Sequence, residues 1–350
     1  MKTLYKKDSK GKSRKVIIFA LGDLITQQSG LVDGVLTTHQ SIAKAKNVGR
    51  SNETTPQEQA ILEVEAKIIK KLKEGYFETI EEAESKIVVL PMLAKVYDKE
   101  KHKIDWDNCY VQPKLDGMRC LTFPGNQKIS RKNTPIETMN HIVVNFPAEL
   151  SCPIDGELYV HGESFQKNMK FIKKYRPDSS ERIQYWIYDV VSELPFIDRL
   201  ALVMAVVNES SNCKLVETLK VTNEEQVINV HKKFLADGFE GTIIRWGDES
   251  YGINKRSSNL LKHKDFIDES YKVVDVEPSD KNPEQGVIIC ETCLGGQRFG
   301  NGMKFSHEER KEILENKEDY IGQMAEIRFF EFTDDDIPRF PVCVGFRLDC

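Results

Sequence analysis

The chain lacks an excess of positive charge. Its 50 Lys and Arg are outnumbered by 55 Asp and Glu across 350 residues, leaving a net charge of -5. Contact with a polyanion must therefore come from local clusters, not from the field of the whole molecule. The chain also lacks a long apolar run. Residues 16–21 (VIIFAL) are too few for a membrane span, and a signal peptide needs a longer apolar core. Eight cysteines are scattered without a disulfide-like framework. Cys290 and Cys293 form one C-x-x-C, but no second pair follows at zinc-ribbon spacing, and residues 287–290 read as a strand. Free thiols in a reducing compartment are expected rather than a zinc site. There is no internal repeat and no low-complexity tract. A monomer with no membrane partner is expected, in the cytosol, or in the nucleus if the host has one. A hydrophobic content of 40% supplies material for real cores, and the length predicts two or three domains.

The first segment opens on a charge run that includes Lys12, Arg14 and Lys15, read either as a solvated arm or as a phosphate contact. A strand is predicted over 16–20, with turns at Ser29-Gly30 and Asp33-Gly34. Thr55-Pro56-Gln57-Glu58 reads as a capped helix start, and Ala60, Ile61, Val64, Ile68 and Leu72 recur near helical period until Gly75. This small mixed domain is expected to close near Tyr76. Acidic residues Glu78, Glu81, Glu82 and Glu84 then lead through a linker to Pro91. From 97 to 265 strands and short helices alternate, with strands predicted at 120–123, 157–160, 183–191 and 241–245. A helix over 223–235 is capped by Thr222, with Val227, Val230, His231 and Phe234 on one face. The strands are not uniformly apolar, so a simple doubly wound sheet is excluded. Beyond Phe266, strands at 271–276, 286–291 and 324–332 and one helix over 306–316, capped by Ser306, suit a small Greek-key barrel of the oligonucleotide-binding (OB) type.

The most informative stretch is Gln112-Pro113-Lys114-Leu115-Asp116-Gly117-Met118-Arg119. It sets a primary amine beside a carboxylate, a glycine and a guanidinium. Once neutral, Lys114 can attack phosphorus; Asp116 can orient it. Gly117 allows close backbone approach to a nucleotide, and Arg119 offers a planar fork to phosphate or ribose. A surface strand ending in a turn with solubilising charges explains the same eight residues equally well. Further runs share this chemistry. Ser130-Arg131 adds a guanidinium, and Asp155-Gly156-Glu157-Leu158 carries two carboxylates suited to a ribose hydroxyl or a metal. Tyr185-Trp186-Ile187-Tyr188-Asp189 opposes an aromatic face to a carboxylate, although such a stripe is more often core. Glu240-Gly241-Thr242-Ile243-Ile244-Arg245 offers a carboxylate to a divalent metal. Lys262-His263-Lys264 puts two ammonium groups on one face of an extended segment.

In their order, K-x-D-G-x-R, S-R, D-G-E-L, Y-W-I-Y-D, E-G-x-x-I-R and L-L-K-x-K resemble the covalent nucleotidyltransferases: ATP-dependent DNA ligases, RNA ligases and mRNA capping enzymes. The chain most resembles small viral and phage ATP-dependent DNA ligases, over residues 91–349. The run from Pro338 through Arg347 and the segment Gly300-Asn301-Gly302 also look like the ligase barrel. The resemblance implies an α+β multidomain fold. A nucleotidyltransferase (ATP-grasp-like ligase) domain would span 89–265 and an OB-fold β-barrel 266–350, after an N-terminal DNA-binding module at 1–88 that loosely resembles the WGR domain without its signature tryptophan and arginine. It implies ATP and Mg²⁺ (or Mn²⁺) as cofactors, nicked duplex DNA as partner, and a place in DNA replication, repair and recombination, in the host cytosol if phage-encoded.

By the same resemblance, Lys114 would carry AMP as a phosphoramide, with Lys262 and Lys264 neutralising its phosphate. Glu240, helped by Asp116 or Asp155, would hold the metal. Glu157 would bind ribose, and Tyr188 would stack on adenine. Arg119 and Arg131 would grip the 5′-phosphate of the nick, and Arg339, Arg347 and Asp349 would face ATP from the barrel. Gln112 stands where many ligases have a glutamate that accepts from adenine N6, and its amide oxygen can still accept. A basic residue is expected after Asp349, where Cys350 stands, and the segment 277–285 is too short for a DNA-clasping hairpin. DNA contacts are therefore expected from Lys12, Arg14, Lys15, Lys44, Lys46 and Arg50, and from Lys170, Lys173 and Lys174, which also read as a solvated helix face. An RNA ligase and a non-catalytic DNA-binding relative remain the rival readings.

Overall fold

The computed structural model describes residues 1–8, 11–85, 88–148, 150–280, 282–292 and 295–347. Strands β1 (Lys2–Lys7), β2 (Ser13–Leu21), β3 (Leu24–Leu31) and β4 (Thr37–Ile42) form one antiparallel sheet in chain order. Gly22 turns the β2–β3 hairpin at φ +63, a conformation open to glycine without penalty. Leu4, Val16 and Ile18 on one face of this sheet pack against Val64, Ile68 and Leu72 of helix α1 (Pro56–Lys73). The Thr55 hydroxyl accepts from the Glu58 N–H and the Glu58 carboxylate accepts from the Thr55 N–H, so the expected capping box is present. Ile61 departs from the expected face and is exposed.

The acidic stretch read as a linker is helix α2 (Ile80–Ser85), packed on β1. Two observations explain the difference. Thr79 Oγ1 accepts from the Glu82 N–H at 3.2 Å and starts the helix. Phe77 exchanges two backbone hydrogen bonds with Tyr5, so the chain is still attached to the first sheet after Gly75.

The central region builds two sheets. Its elements are β5 (Leu93–Val96), α3 (Tyr97–Glu100), β6 (Cys109–Lys114), β7 (Met118–Thr122), β8 (Lys128–Ser130), β9 (Ile154–Tyr159), α4 (Phe165–Lys173), β10 (Gln184–Val190), α5 (Phe196–Glu209), β11 (Cys213–Leu215), β12 (Leu219–Val221), α6 (Glu224–Ala236), β13 (Gly241–Trp246) and β14 (Arg256–His263). One sheet has the order β11-β10-β9-β7-β8 and the other β12-β6-β13-β14-β5. Most pairs are antiparallel, which accounts for strands that are apolar on alternate residues only. Helix α6 begins one residue later than expected. Asn223, not Thr222, is the cap, because its side chain accepts from the Gln226 N–H.

The two sheets share an apolar layer that includes Leu121, Ile129 and Leu260 and a buried polar lock. Asp189 on β10 accepts from Arg199 Nε of α5 at 2.7 Å and from Arg245 Nη1 of β13 at 2.5 Å. All three side chains are buried. Arg199 also donates to the carbonyls of Leu194 and Glu249, so the charge lost from water is met by a nearly complete donor set.

The last region is a closed barrel in the order β15-β16-β17-β19-β18, from β15 (Ile267–Pro278), β16 (Gly286–Glu291), β17 (Arg298–Met303), β18 (Met324–Phe329) and β19 (Val342–Phe346). Helix α7 (His307–Glu315) carries the expected Ser306–Glu309 capping box, and a short α8 (Lys317–Tyr320) follows it. Tyr271, Val273, Ile288, Ile327 and Phe329 fill the barrel. Cys290 is a core residue there; Cys293 lies outside the described residues, as does Asp349.

Replacing Asp189 with alanine strands two buried guanidiniums. The Asp189→Ala variant should lose about 3–5 kcal/mol, read as a large drop in thermal midpoint by circular dichroism, and a midpoint within a degree or so of wild type would show that the lock is not stabilising.

Candidate active site

The register of three strands assembles the site. Lys114, at the end of β6, pairs with Gly241 at the start of β13, and Ile243 pairs with both Gln112 and Lys262. The Glu240 N–H donates to the Lys114 carbonyl at 3.0 Å. Gly241 has φ +152, and a Cβ there would stand 2.4 Å from the His263 carbonyl oxygen, so only glycine lets the strands close here. With the backbone so fixed, the side chains meet. Lys114 Nζ donates to Glu240 Oε2, and Lys264 Nζ lies 3.5 Å from Glu240 Oε1. Burial holds the Lys262 ammonium below its usual pKa, with the positive charges of Lys264 and Lys114 reinforcing the shift. Lys264 is lowered by burial too, against the pull of Glu240. Half-buried amines with this much like charge around them are poised for an anion.

The barrel reaches over this cluster. Arg339 Nη1 donates to Asp116 Oδ2 at 2.6 Å, with Nη2 3.4 Å from Oδ1, and it also pairs with Glu331. Its guanidinium lies 4.0 Å from the centroid of the Phe165 ring. Lys264 Nζ sits 3.9 Å from the Phe330 centroid. Between these groups is a cavity of about 570 Å³, lined by Asp116, Phe165, Phe239, Glu240, Phe330 and Glu331 among others, which is large enough for a nucleotide-sized molecule. Burial pushes the Glu331 carboxyl up, and the nearby negative charges of Asp116 and Glu240 add to it although Arg339 opposes them. Asp116, Glu240 and Glu331 all line this cavity and offer hard oxygen donors of the kind a Mg²⁺ ion takes. Glu331 and Phe165 carried no signal in the sequence, since each joins the site only through folding.

The other sheet forms the second wall. Arg119 lies opposite Glu157 in the β7–β9 register. Burial raises the Glu157 carboxyl to about 8, while Arg119 and Lys114 oppose the shift. The Tyr188 hydroxyl is 3.4 Å from Glu157 Oε2, and its ring has the guanidiniums of Arg119 and Arg245 at 5.6 and 5.7 Å. Arg131 is exposed. Its pKa is lowered by partial burial and by the charges of Arg119 and Arg256, which places it in the same basic cluster. Arg256 belongs there as well, although no sequence pattern distinguishes it.

Several expectations need correction. Asp155 is not placed to hold a metal: it is fully buried, and its oxygens accept from Arg119 Nε and Nη2 and from the Tyr251 hydroxyl. Arg119 is thereby anchored through two of its nitrogens. The amide oxygen of Gln112 already accepts from Arg245 Nε at 2.8 Å, and its nitrogen donates to Thr218 Oγ1 at 2.9 Å, so the side chain is a fixed floor rather than a loose acceptor. Gly117 is required by the protein itself, because a Cβ there would lie 2.3 Å from the Leu158 carbonyl oxygen. Arg347 is half-exposed on the barrel and faces Glu326 at 3.8 Å. Lys12, Arg14 and Lys15 lie on or beside β2 of the first sheet, and Lys170, Lys173 and Lys174 sit exposed along and just after α4.

Comparison with known proteins gives a consistent set. Residues 91–264 match the family described as ATP dependent DNA ligase domain, and residues 284–347 match DNA ligase OB-like domain. The DNA ligase of Enterobacteria phage T4 is 36% identical over 121 residues, 32% of this chain but only 25% of that enzyme. The DNA ligase of African swine fever virus (isolate Tick/South Africa/Pretoriuskop Pr4/1996) is 24% identical over 342 residues, covering 87% of this chain and 79% of the relative. That of Haemophilus influenzae is 24% identical over 235 residues, 66% and 83%. Among solved structures, one of the Lig E DNA ligases superposes with a TM-score of 0.62 at 22% identity, covering 75% of this chain and all of the other, which speaks to the fold.

The Glu157 shift carries a stability consequence. Folding holds a proton on this carboxyl up to about pH 8, whereas the unfolded group releases it near its ordinary value. The stability linked to Glu157 is fully present below the ordinary carboxylate range and is lost as pH rises toward 8. Glu157→Gln should therefore lose less stability between pH 5 and pH 8 than wild type when urea midpoints are compared, and parallel curves would refute the assignment.

Proposed function

Because the chain belongs to the ATP-dependent DNA ligase family, we propose that it seals 3′-hydroxyl/5′-phosphate nicks in duplex DNA by way of a lysyl-AMP intermediate. The observation that carries this reading is the Lys114–Glu240–Lys264 cluster, whose Glu240 lines the cavity together with Asp116 and Glu331, the two carboxylates that Arg339 pairs. Lys114 Nζ attacks the α-phosphorus of ATP; the new N–P bond forms as the bond to pyrophosphate breaks. Lys262 and Lys264 meet the charge on the α-phosphate, and their half-buried position makes that neutralisation stronger than it would be in water. Arg339, paired with Asp116 and Glu331, is the proposed partner of the leaving pyrophosphate. Tyr188 offers a ring to adenine and Glu157 a hydrogen-bonding carboxyl to ribose. Glu240, with Asp116 and Glu331 nearby, would hold Mg²⁺, which supplies further charge neutralisation. The same carboxylate holds Lys114, so metal binding and release of the amine are coupled through one residue.

For the second and third steps, AMP passes to the 5′-phosphate, where Arg119 and Arg131 lie, and the adjoining 3′-hydroxyl displaces it. In this reading the barrel swings aside for both, which opens the Arg339–Asp116 contact. The lysines and arginine at the start of β2 are the proposed contact of the first sheet with duplex DNA. The enzyme acts as a monomer in the cytosol.

Incubation with α-labelled ATP and Mg²⁺ tests the first step. Wild type should take up label and Lys114→Ala none; the variant should stay folded, because Lys264 still compensates Glu240. A wild type that stays unlabelled overturns the reading, and sealing of nicked RNA but not nicked DNA would reassign the substrate. Neutralising Lys12, Arg14 and Lys15 together should lower the slope of log affinity against log salt for nicked duplex by about 2–3, leaving labelling intact. An unchanged slope removes the first sheet from the DNA interface.

A further inference from the structure

Beside the lysine pair, with Asp265 on the wall of the same cavity, three side chains converge that the proposed reaction does not use. His231 on α6, His263 between Lys262 and Lys264, and Asp265 in the connection to the barrel offer two ring nitrogens and a carboxylate oxygen, all within 4.8 Å of one another. His231 is buried; its Nδ1 lies 2.9 Å from Thr242 Oγ1 and its Nε2 3.2 Å from Asp265 Oδ1. The two imidazole centroids are 4.0 Å apart. His263 Nδ1 is buried and has no hydrogen-bond partner among the described residues. Its ring rests on Tyr97 at 4.8 Å between centroids.

A purely structural account makes His231 a bridge from Thr242 to Asp265 and His263 a filler against Tyr97. It leaves the buried His263 Nδ1 without a partner among the described residues, which is unfavourable. We propose instead that His231, His263 and Asp265 bind one Zn²⁺-class ion, with water completing the coordination sphere. Metal binding requires the His231 tautomer in which Nδ1–H donates to the Thr242 hydroxyl and the Nε2 lone pair faces the ion, in place of the tautomer in which Nε2–H donates to Asp265. Two atoms on one zinc, each at about 2.1 Å, cannot be more than about 4.2 Å apart, so the three ligand atoms must come within that separation of one another. Asp265, whose side chain is 67% exposed, has room to do it.

The ion would tie α6 to the end of β14 and hold the connection just before the barrel begins at Ile267. It would fix the spacing of Lys262 and Lys264 and restrain the swing of the barrel. This consequence rests on the ligase reading; metal binding itself does not.

The full chain, stripped with a chelator, can be titrated with Co²⁺ as a spectroscopic stand-in for zinc, in excess Mg²⁺ to occupy sites built from oxygen alone. One equivalent should bind, giving visible d–d bands that Zn²⁺ displaces. His263→Gln should abolish the bands, and Thr242→Val should weaken binding about 10–100-fold, with circular dichroism confirming that each variant is folded. Zn²⁺ should raise the thermal midpoint of wild type but not of Asp265→Asn, whose exposed side chain keeps that variant foldable. No saturable Co²⁺ binding by wild type, or binding unchanged in both His263→Gln and Asp265→Asn, overturns the site. Intact bands with no adenylate labelling would instead count against the ligase reading alone.

Discussion

The carboxylate of Glu240 holds two ammonium groups at once, Lys114 on one oxygen and Lys264 near the other. The rest of the cleft follows from that constraint. Only 6% of its side chain is exposed, so the charges cannot be left to solvent and the three groups must be delivered to one point. Cross-strand pairing delivers them. Gly241 permits the close approach, the β6–β13 register sets Lys114 beside Glu240, and the β13–β14 register brings the Lys262–Lys264 segment alongside. A slip of one residue in either pair would turn these side chains to the opposite face.

A second tier of charge keeps that geometry from drifting. Asp189, Arg199 and Arg245 join the two central sheets in their shared interior, and Arg245 passes the constraint on to Gln112, two residues before Lys114. Asp155 does the same for Arg119. In both cases a carboxylate that looks available to a ligand is consumed by an arginine, which stiffens the wall of the cleft rather than opening it to a metal. Across the cleft the barrel contributes its own arginine, and the Arg339–Asp116 pair ties the barrel to the wall that carries Lys114.

The fold was legible wherever local chemistry is strong. The capping boxes at Thr55 and Ser306 lie where the sequence places them, because they are made by residues three apart and depend on nothing distant. The alternation in 286–291 gives a strand with the same bounds. Helix α2 was misread for the complementary reason. A run of glutamates resembles a solvated linker until Thr79 caps it and β1 covers it.

By itself the sequence determined which chemical groups are present and in what order, enough to single out Lys114, Glu240 and the Lys262–Lys264 pair and to suggest the family. Those motifs are legible because the chemistry demands particular residue types at short spacing. Only the tertiary structure decided which carboxylates are free. Asp116, Asp155, Glu157, Glu240 and Glu331 are equivalent as letters. Their roles separate when folding gives Asp155 two arginine nitrogens and a tyrosine hydroxyl, buries Glu157 without an equal partner, and brings Glu331 from the barrel to the cavity. Burial and pairing arise from residues far apart along the chain, and no local pattern encodes them.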